Sequence, residues 1–94
     1  MPYFALIYDT VDNFVERRQP HRGAHLDLVA RAQRVGGLLM AGALKPSGAL
    51  LVFRTEQIAD VEQFAQQDPY VVNGLVSSWR VFEWTVVTPP VGVQ

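Results

Sequence analysis

Two residues that could transfer a proton stand far apart in this sequence. His25 falls on the apolar side of a predicted helix, and Asp68 begins the stiff tripeptide Asp68-Pro69-Tyr70. A neutral imidazole and a carboxylate are what a small protein needs for proton transfer near neutral pH, and the chain has few other groups suited to it. If Asp68 accepts the proton of one ring nitrogen of His25, the other nitrogen becomes a poised base.

Both residues also have structural explanations. His25 could be a partly buried histidine bonded to a backbone carbonyl, and Asp68 could simply end a helix in a turn. A negative charge at a helix C-terminus opposes the helix dipole, however, so an imidazolium or the guanidinium of Arg22 nearby would stabilise it. A third interpretation is that the pair fixes the second helix against the first.

Composition argues against several other kinds of site. The chain has no cysteine and two histidines, which excludes thiol catalysis, disulfides and thiolate metal sites. His21 and His25 are four residues apart, but a metal would need a third ligand such as Asp68 or Asp9, so we favour no metal. Neither a phosphate-binding glycine loop nor a nucleophile-elbow serine is present, and we expect no cofactor.

The charge balance limits the partners of this chain. Its net charge of −1 provides no strong field for nucleic acid or an anionic membrane. No apolar run approaches the roughly 20 residues that cross a bilayer, and the N-terminal segment meets an acid too early for a signal peptide. We therefore expect a cytoplasmic protein with neither a nucleic-acid nor a membrane partner. Five arginines in one short region could form an anion site or ordinary surface charge: Arg17, Arg18, Arg22, Arg31 and Arg34.

Hydrophobic periodicity and turn residues predict the elements that must position these side chains. Pro20 suits the first turn of one helix, and Thr55 is a plausible N-cap for another that ends near Asp68. Residues 11–19 are ambiguous. The segment Lys45-Pro46-Ser47-Gly48 joins two strands as a hairpin. The predicted strands cover residues 3–8, 38–44, 49–55 and 76–87, and the predicted helices cover residues 20–35 and 56–67.

The order strand, helix, strand, strand, helix, strand predicts one α+β domain. Two such halves give a ferredoxin-like βαββαβ fold, a four-stranded antiparallel sheet with both helices on one face. We assign this domain to residues 1–88 and a short C-terminal tail to residues 89–94, because Pro89-Pro90 stops the last strand.

Both faces of the predicted sheet carry large apolar side chains. In the last strand, Phe82 and Trp84 point one way while Trp79 and Val81 point the other. An uncovered apolar face of this size is unusual for a monomer, and we expect a homodimer packed sheet to sheet. The alternative is that the strand boundaries are misplaced and one face is less apolar than it looks.

Four short motifs, taken in order over residues 3–87, resemble the YCII-related (YciI-like) family of small bacterial proteins. They are Arg22-x-x-His25-Leu26, Ala41-Gly42, Gln67-Asp68-Pro69-Tyr70 and an aromatic last strand through Trp84. The resemblance implies a dimeric α+β barrel of ferredoxin-like subunits. It also implies an active site with His25 and Asp68 as the catalytic pair and Arg22 one turn before.

These observations lead to two functional hypotheses. The first is a small lyase or isomerase that uses His25 and Asp68 for acid/base chemistry on a small, aromatic or enolisable anionic substrate. We expect Arg22, Gly42, Tyr70 and Trp84 to bind that substrate, although Tyr70 and Trp84 could equally belong to the core. The alternative is a non-catalytic module that binds a small ligand in the same pocket.

Overall fold

The computed structural model describes residues 1–92, in which four strands and four helices are formed. The strands are β1 Tyr3–Thr10, β2 Leu38–Ala43, β3 Ala49–Arg54 and β4 Val76–Trp84. The helices are α1 Phe14–Arg17, α2 Arg22–Val35, α3 Ile58–Gln67 and α4 Pro69–Val72, and a 3-10 turn at Gln19–His21 leads into α2. No helix in this range is both long and apolar enough to cross a bilayer.

The four strands form one antiparallel sheet in the order β2-β3-β1-β4. β1 is central and pairs with β3 from Tyr3, opposite Arg54, to Tyr8, opposite Ala49. Its other edge pairs with β4, where Leu6 lies opposite Val81. With α2 between β1 and β2 and α3 between β3 and β4, this is the ferredoxin-like α+β fold that the sequence predicts.

The core lies between the sheet and the two long helices. Alternation along β1 places Phe4, Leu6 and Tyr8 on this face, and all three are buried. The same buried cluster contains Leu51 and Phe53 from β3, Ala32 from α2, and Val61, Phe64 and Ala65 from α3. Both helices therefore cover one face of the sheet, and burial of their apolar stripes holds them there.

Helix α2 ends at Val35, and the chain enters β2 through Gly36 and Gly37. Gly37 has a φ of 77°, a conformation that residues with a Cβ rarely adopt. A Cβ at this position would also collide with the carbonyl oxygen of Arg54. The backbone N–H of Arg54 donates to the carbonyl of Gly37 at 2.8 Å. Glycine is thus required where the chain passes from α2 into the sheet.

The sheet face opposite the helices carries a row of apolar side chains, together with Arg54 opposite Tyr3 and Arg80 opposite Ile7. Ala5 lies between its cross-strand partners Val52 and Phe82, and Trp84 lies opposite Tyr3. Phe82 and Trp84 remain 49% and 47% exposed. The predicted pattern of two apolar faces is therefore present in the structure.

Local predictions differ from the structure most clearly at the start of α3 and at the end of β4. Thr55 is not the N-cap of α3, because the helix begins at Ile58 after Gln57 and the Thr55 hydroxyl instead donates to Asp60 Oδ2 at 2.6 Å. β4 ends at Trp84, three residues before the predicted end. The ambiguous stretch over residues 11–19 contains α1. Residues 85–92 form neither helix nor strand, and residues 93 and 94 of the predicted tail lie outside the described range.

Candidate functional site

The carboxylate of Asp68 lies at the junction of α3 and α4 and is completely buried. Because Pro69 disfavours helical dihedrals at the preceding residue, Asp68 is extended, with φ −63° and ψ 122°, and α3 ends there. Asp68 Oδ1 accepts a hydrogen bond from the backbone N–H of Tyr70 at 3.0 Å, which caps α4. Pro69 and this cap, which both come from the residues directly after Asp68, hold the carboxylate in place.

The imidazole of His25 meets that carboxylate. His25 Nδ1 lies 2.8 Å from Asp68 Oδ1, and 14% of the His25 side chain is exposed. An ionised carboxylate only accepts hydrogen bonds, so Nδ1 carries the proton in this contact and Nε2 of the neutral ring keeps its lone pair. Within residues 1–92, Nε2 has no hydrogen-bond partner. The structure thus brings the two residues together across 43 positions of sequence.

Tyr8 is a third member of this group that the sequence reasoning missed. Its hydroxyl donates to Asp68 Oδ2 at 2.7 Å, and its side chain is fully buried. The signal was present, because Tyr8 continues the buried alternation of Phe4 and Leu6 on β1 and a buried tyrosine hydroxyl needs a partner. Three donors therefore converge on the two oxygens of Asp68. An ionised carboxylate can accept all three hydrogen bonds.

Tyr70 fixes the plane of the imidazole. Its ring stacks on the His25 ring with a centroid distance of 3.8 Å and an interplanar angle of 10°. Phe14 of α1 packs edge-on against Tyr70 at 5.2 Å. His25 is thereby held from one side by Asp68 and over one face by Tyr70, which restricts the direction in which Nε2 can point.

A cleft of about 340 Å³ opens beside this group, between α2 and the β2–β3 side of the sheet. Its size is within the range of small-molecule sites. Its lining residues are Tyr8, Phe14, Arg18, Arg22, His25, Leu26, Val29, Ala41, Gly42, Ala43, Ala49, Leu51 and Tyr70. A larger groove of about 570 Å³ between α2 and α3 includes none of His25, Asp68 and Tyr8. The smaller cleft is therefore the candidate site.

The structure gathers most of the expected site residues at this cleft. Arg22 and Tyr70 line it, as does Gly42, where an added Cβ would meet nothing within 4 Å. Trp84 does not line it, because Trp84 shares the opposite sheet face with Phe82. The period-two alternation of β4 carries its side chain away from the helices. The proposed role of Trp84 at the substrate pocket therefore has no support within one chain.

Burial raises the pKa of the Tyr8 hydroxyl above its ordinary value, and the negative charge of Asp68 and the hydrogen bond to it act in the same direction. Ionised Tyr8 would place a second negative charge against Asp68. Tyr8 therefore remains a hydrogen-bond donor in the folded protein.

In the described range, no group of three His, Cys, Asp or Glu side chains is placed to hold a metal ion.

The raised pKa of Tyr8 makes the free energy of unfolding depend on pH in the alkaline range. A free tyrosine loses its proton near pH 10, whereas folded Tyr8 retains its proton because its pKa is raised. The stabilisation is complete below about pH 10, and it falls by about 1.4 kcal/mol per pH unit above it because only the unfolded chain releases the proton. Tyr8→Phe should remove this slope in urea unfolding between about pH 9 and 11. Tyr3→Phe is the control, and a slope unchanged in Tyr8→Phe would contradict the assignment.

Two solved structures share this fold at low sequence identity. One is the 5-chloro-2-hydroxyhydroquinone dehydrochlorinase TftG from Burkholderia phenoliruptrix AC1100 in complex with 2,5-dihydroxybenzoquinone, with a TM-score of 0.76 and 18% identity over 88% of this chain and 93% of that chain. The other, from Bacteroides thetaiotaomicron VPI-5482, is described as an antibiotic biosynthesis monooxygenase, with a TM-score of 0.60 and 14% identity over 99% of this chain and 95% of that chain. Both likenesses concern the fold.

Sequence comparison identifies the family. No curated protein matches the chain in sequence. The YCII-related domain, in contrast, matches residues 1–85, which span every strand and helix described above. The motifs that carry the resemblance include His25, Asp68 and Tyr70, which contact one another beside the cleft. This chain therefore belongs to the YCII-related domain family.

Proposed function

We propose that the protein is a small enzyme that performs acid/base chemistry on a small anionic substrate in this cleft. The observation that carries the proposal is the hydrogen bond from His25 Nδ1 to buried Asp68, which leaves Nε2 free on a residue that lines the cleft. Asp68 fixes the tautomer of His25 and stabilises the imidazolium that forms when Nε2 accepts a proton.

The proposed reaction begins with proton abstraction. His25 Nε2 removes a proton from carbon beside a carbonyl group or from a phenol, and the electron pair moves onto oxygen as an enolate or phenolate. Arg22 lines the same cleft and neutralises that oxygen. The electron pair then expels a leaving group in an elimination, or it takes the proton back at another carbon in an isomerisation. Neither route requires a covalent intermediate with the protein.

One of the two structural neighbours supports a lyase. TftG is named as a dehydrochlorinase, and its structure holds a dihydroxybenzoquinone. Loss of hydrogen chloride is an elimination that needs a base. The stacked rings of His25 and Tyr70 beside the cleft also suit a planar substrate. We therefore infer a hydroxylated or otherwise acidic ring compound as the substrate class.

The proposal can be tested without knowing the natural substrate. A thermal-shift screen against small aromatic acids, phenols and lactones would identify ligands of the cleft. Each ligand with an exchangeable C–H would then be incubated with the protein in D₂O, and deuterium incorporation would be followed by NMR. Catalysed exchange supports the proposed chemistry. Ligands that bind tightly with no exchange, no elimination and no isomerisation would favour the non-catalytic binding module.

We also propose that two copies associate through the apolar sheet face, defined by Ala5, Val52, Phe82 and Trp84. Stable interfaces bury roughly 1,600 Å² in total and have an apolar centre, which this face would provide. Phe82→Glu should convert a dimer to a monomer at micromolar concentration, because the interface would bury an unpaired carboxylate. Light scattering checks this expectation.

The control for the dimer places the same charge elsewhere. Val72 is exposed at the end of α4, and Val72→Glu should leave the dimer intact. A wild-type protein that is monomeric at micromolar concentration, or equal dissociation of both variants, would contradict the proposed interface.

A further inference from the structure

Two buried donors beside the cleft have no partner. Arg18 Nε and the Tyr70 hydroxyl are both buried, and neither makes a hydrogen bond within residues 1–92. Both residues contact Phe14, with the Arg18 guanidinium 5.5 Å and the Tyr70 ring 5.2 Å from the centre of its ring. Buried donors are nearly always satisfied, so a pair of unsatisfied donors around one ring requires an explanation. Because both residues line the cleft, a ligand with acceptor oxygens bound there is one way to satisfy these donors.

The charge of the cleft favours an acidic ligand. Arg18, Arg22 and His25 line it, and no aspartate or glutamate is among its lining residues. In the part of the chain that the structure describes, Arg18 and Arg22 make no ion pair with a carboxylate. Two unneutralised guanidinium groups in one small cleft hold a ligand with two negative charges better than one with a single charge.

We propose that Arg18 is a second anion-binding residue of the cleft, so that the substrate is a small aromatic compound with two acidic groups. One group would be held by Arg22 beside His25, and the other by Arg18 with the Tyr70 hydroxyl. We infer an aromatic substrate because two rings, Phe14 and Tyr70, line the cleft. Both already make ring contacts with their neighbours, and an aromatic ligand could extend these contacts. The term substrate rests on the proposed function, whereas the binding preference does not.

A ligand pair that differs by one charge isolates the role of Arg18. Phthalate and its monomethyl ester would be titrated calorimetrically into wild type, Arg18→Met and Arg17→Met at one ionic strength. We expect wild type to bind phthalate at least about tenfold more tightly than the ester, since a hydrogen-bonded charge pair in a half-buried cleft contributes that much. Arg18→Met should reduce this preference to about twofold or less, because it should weaken the binding of phthalate more than the binding of the ester.

Arg17→Met is the matched control. Arg17 is exposed at the end of α1, so its replacement makes the same change in net charge without touching the cleft. It should retain the wild-type preference. Methionine at position 18 keeps a side chain that can cover Phe14. Comparing two ligands on the same variant also removes any general loss of folded protein.

The results distinguish a failure of the role of Arg18 from a failure of the proposed reaction. Absence of a preference for phthalate in wild type, or equal loss in the Arg17 and Arg18 variants, would overturn the role of Arg18. His25→Gln should keep the preference for phthalate even though it removes the proposed base. A protein that prefers phthalate through Arg18 but turns over no compound would leave the inference standing and refute the enzymatic proposal.

Discussion

Replacing His25 with alanine should lower kcat/KM for any substrate or exchange reaction found for this protein by about 10² to 10⁴-fold, the usual contribution of a positioned acid/base group. The reason is that Nε2 of His25 is the free basic atom that Asp68 and Tyr70 hold in place at the cleft. The free energy of unfolding should fall by about 2–3 kcal/mol, since a hydrogen bond to the buried carboxylate of Asp68 and the stacking on Tyr70 are lost while two other hydrogen bonds to Asp68 remain.

His21→Ala provides the matched control for this variant. His21 precedes α2 and makes no side-chain cap bond, and its side chain does not line the cleft. Activity should therefore be unchanged in His21→Ala. Turnover by His25→Ala equal to that of wild type would end the catalytic proposal. A large fall in melting temperature with activity proportional to the folded fraction would support the structural interpretation of the pair instead.

Replacing Asp68 with alanine should have the largest effect on stability of any substitution considered. Three donors lose their acceptor together: the Tyr8 hydroxyl, the His25 Nδ1–H and the Tyr70 N–H. Leaving buried donors of this kind unpaired costs about 3–5 kcal/mol in total. In a domain of this size the melting temperature should fall by on the order of 15–30 °C, measured by calorimetry or circular dichroism.

Asp68→Asn separates the structural from the chemical role of the same side chain. The amide oxygen can still accept from His25 and Tyr70, and the Tyr8 hydroxyl can rotate to accept from the amide nitrogen. We therefore expect a loss of only about 1–2 kcal/mol in the free energy of unfolding, but a loss of activity comparable to that of His25→Ala, because a neutral amide does not stabilise an imidazolium. Asp12→Ala, at an exposed loop position, is the control and should change neither quantity.

Two results would contradict this account of Asp68. One is an Asp68→Ala protein as stable as wild type, which would mean that the three donors find other partners. The other is an Asp68→Asn enzyme with full activity, which would show that the negative charge has no part in the reaction.

The order of elements and the core face could be predicted because they depend on local chemistry. The alternation of Phe4, Leu6 and Tyr8 fits a strand with one buried face, and the turn residues between β2 and β3 allow little else. Pro69 determines that a helix ends at Asp68. These preferences are properties of a few neighbouring residues, so they can be read without knowing what packs against them.

The start of α3 shows where local preference fails. Thr55 is a good N-cap residue by type, but its hydroxyl bonds to Asp60 and the helix begins three residues later. The chain leaves β3 at Arg54, and Thr55 N–H donates to the carbonyl of Pro2. Pairing with the N-terminal segment therefore holds Thr55 outside the helix. The residues around position 55 do not reveal this pairing, because its partner lies at the other end of the sequence.

The residue types and spacing in this chain were sufficient for the fold, the pairing of His25 with Asp68 as a hypothesis, and the position of Asp68 at a helix end. Packing of α2 and α3 on the sheet decided the rest: that Tyr8, 60 residues from Asp68, completes its hydrogen bonds, and that Tyr70 stacks on His25. Such contacts depend on the distance and angle at which helices settle on a sheet. Those quantities are set by the volumes of the whole core, not by the preferences of neighbouring residues.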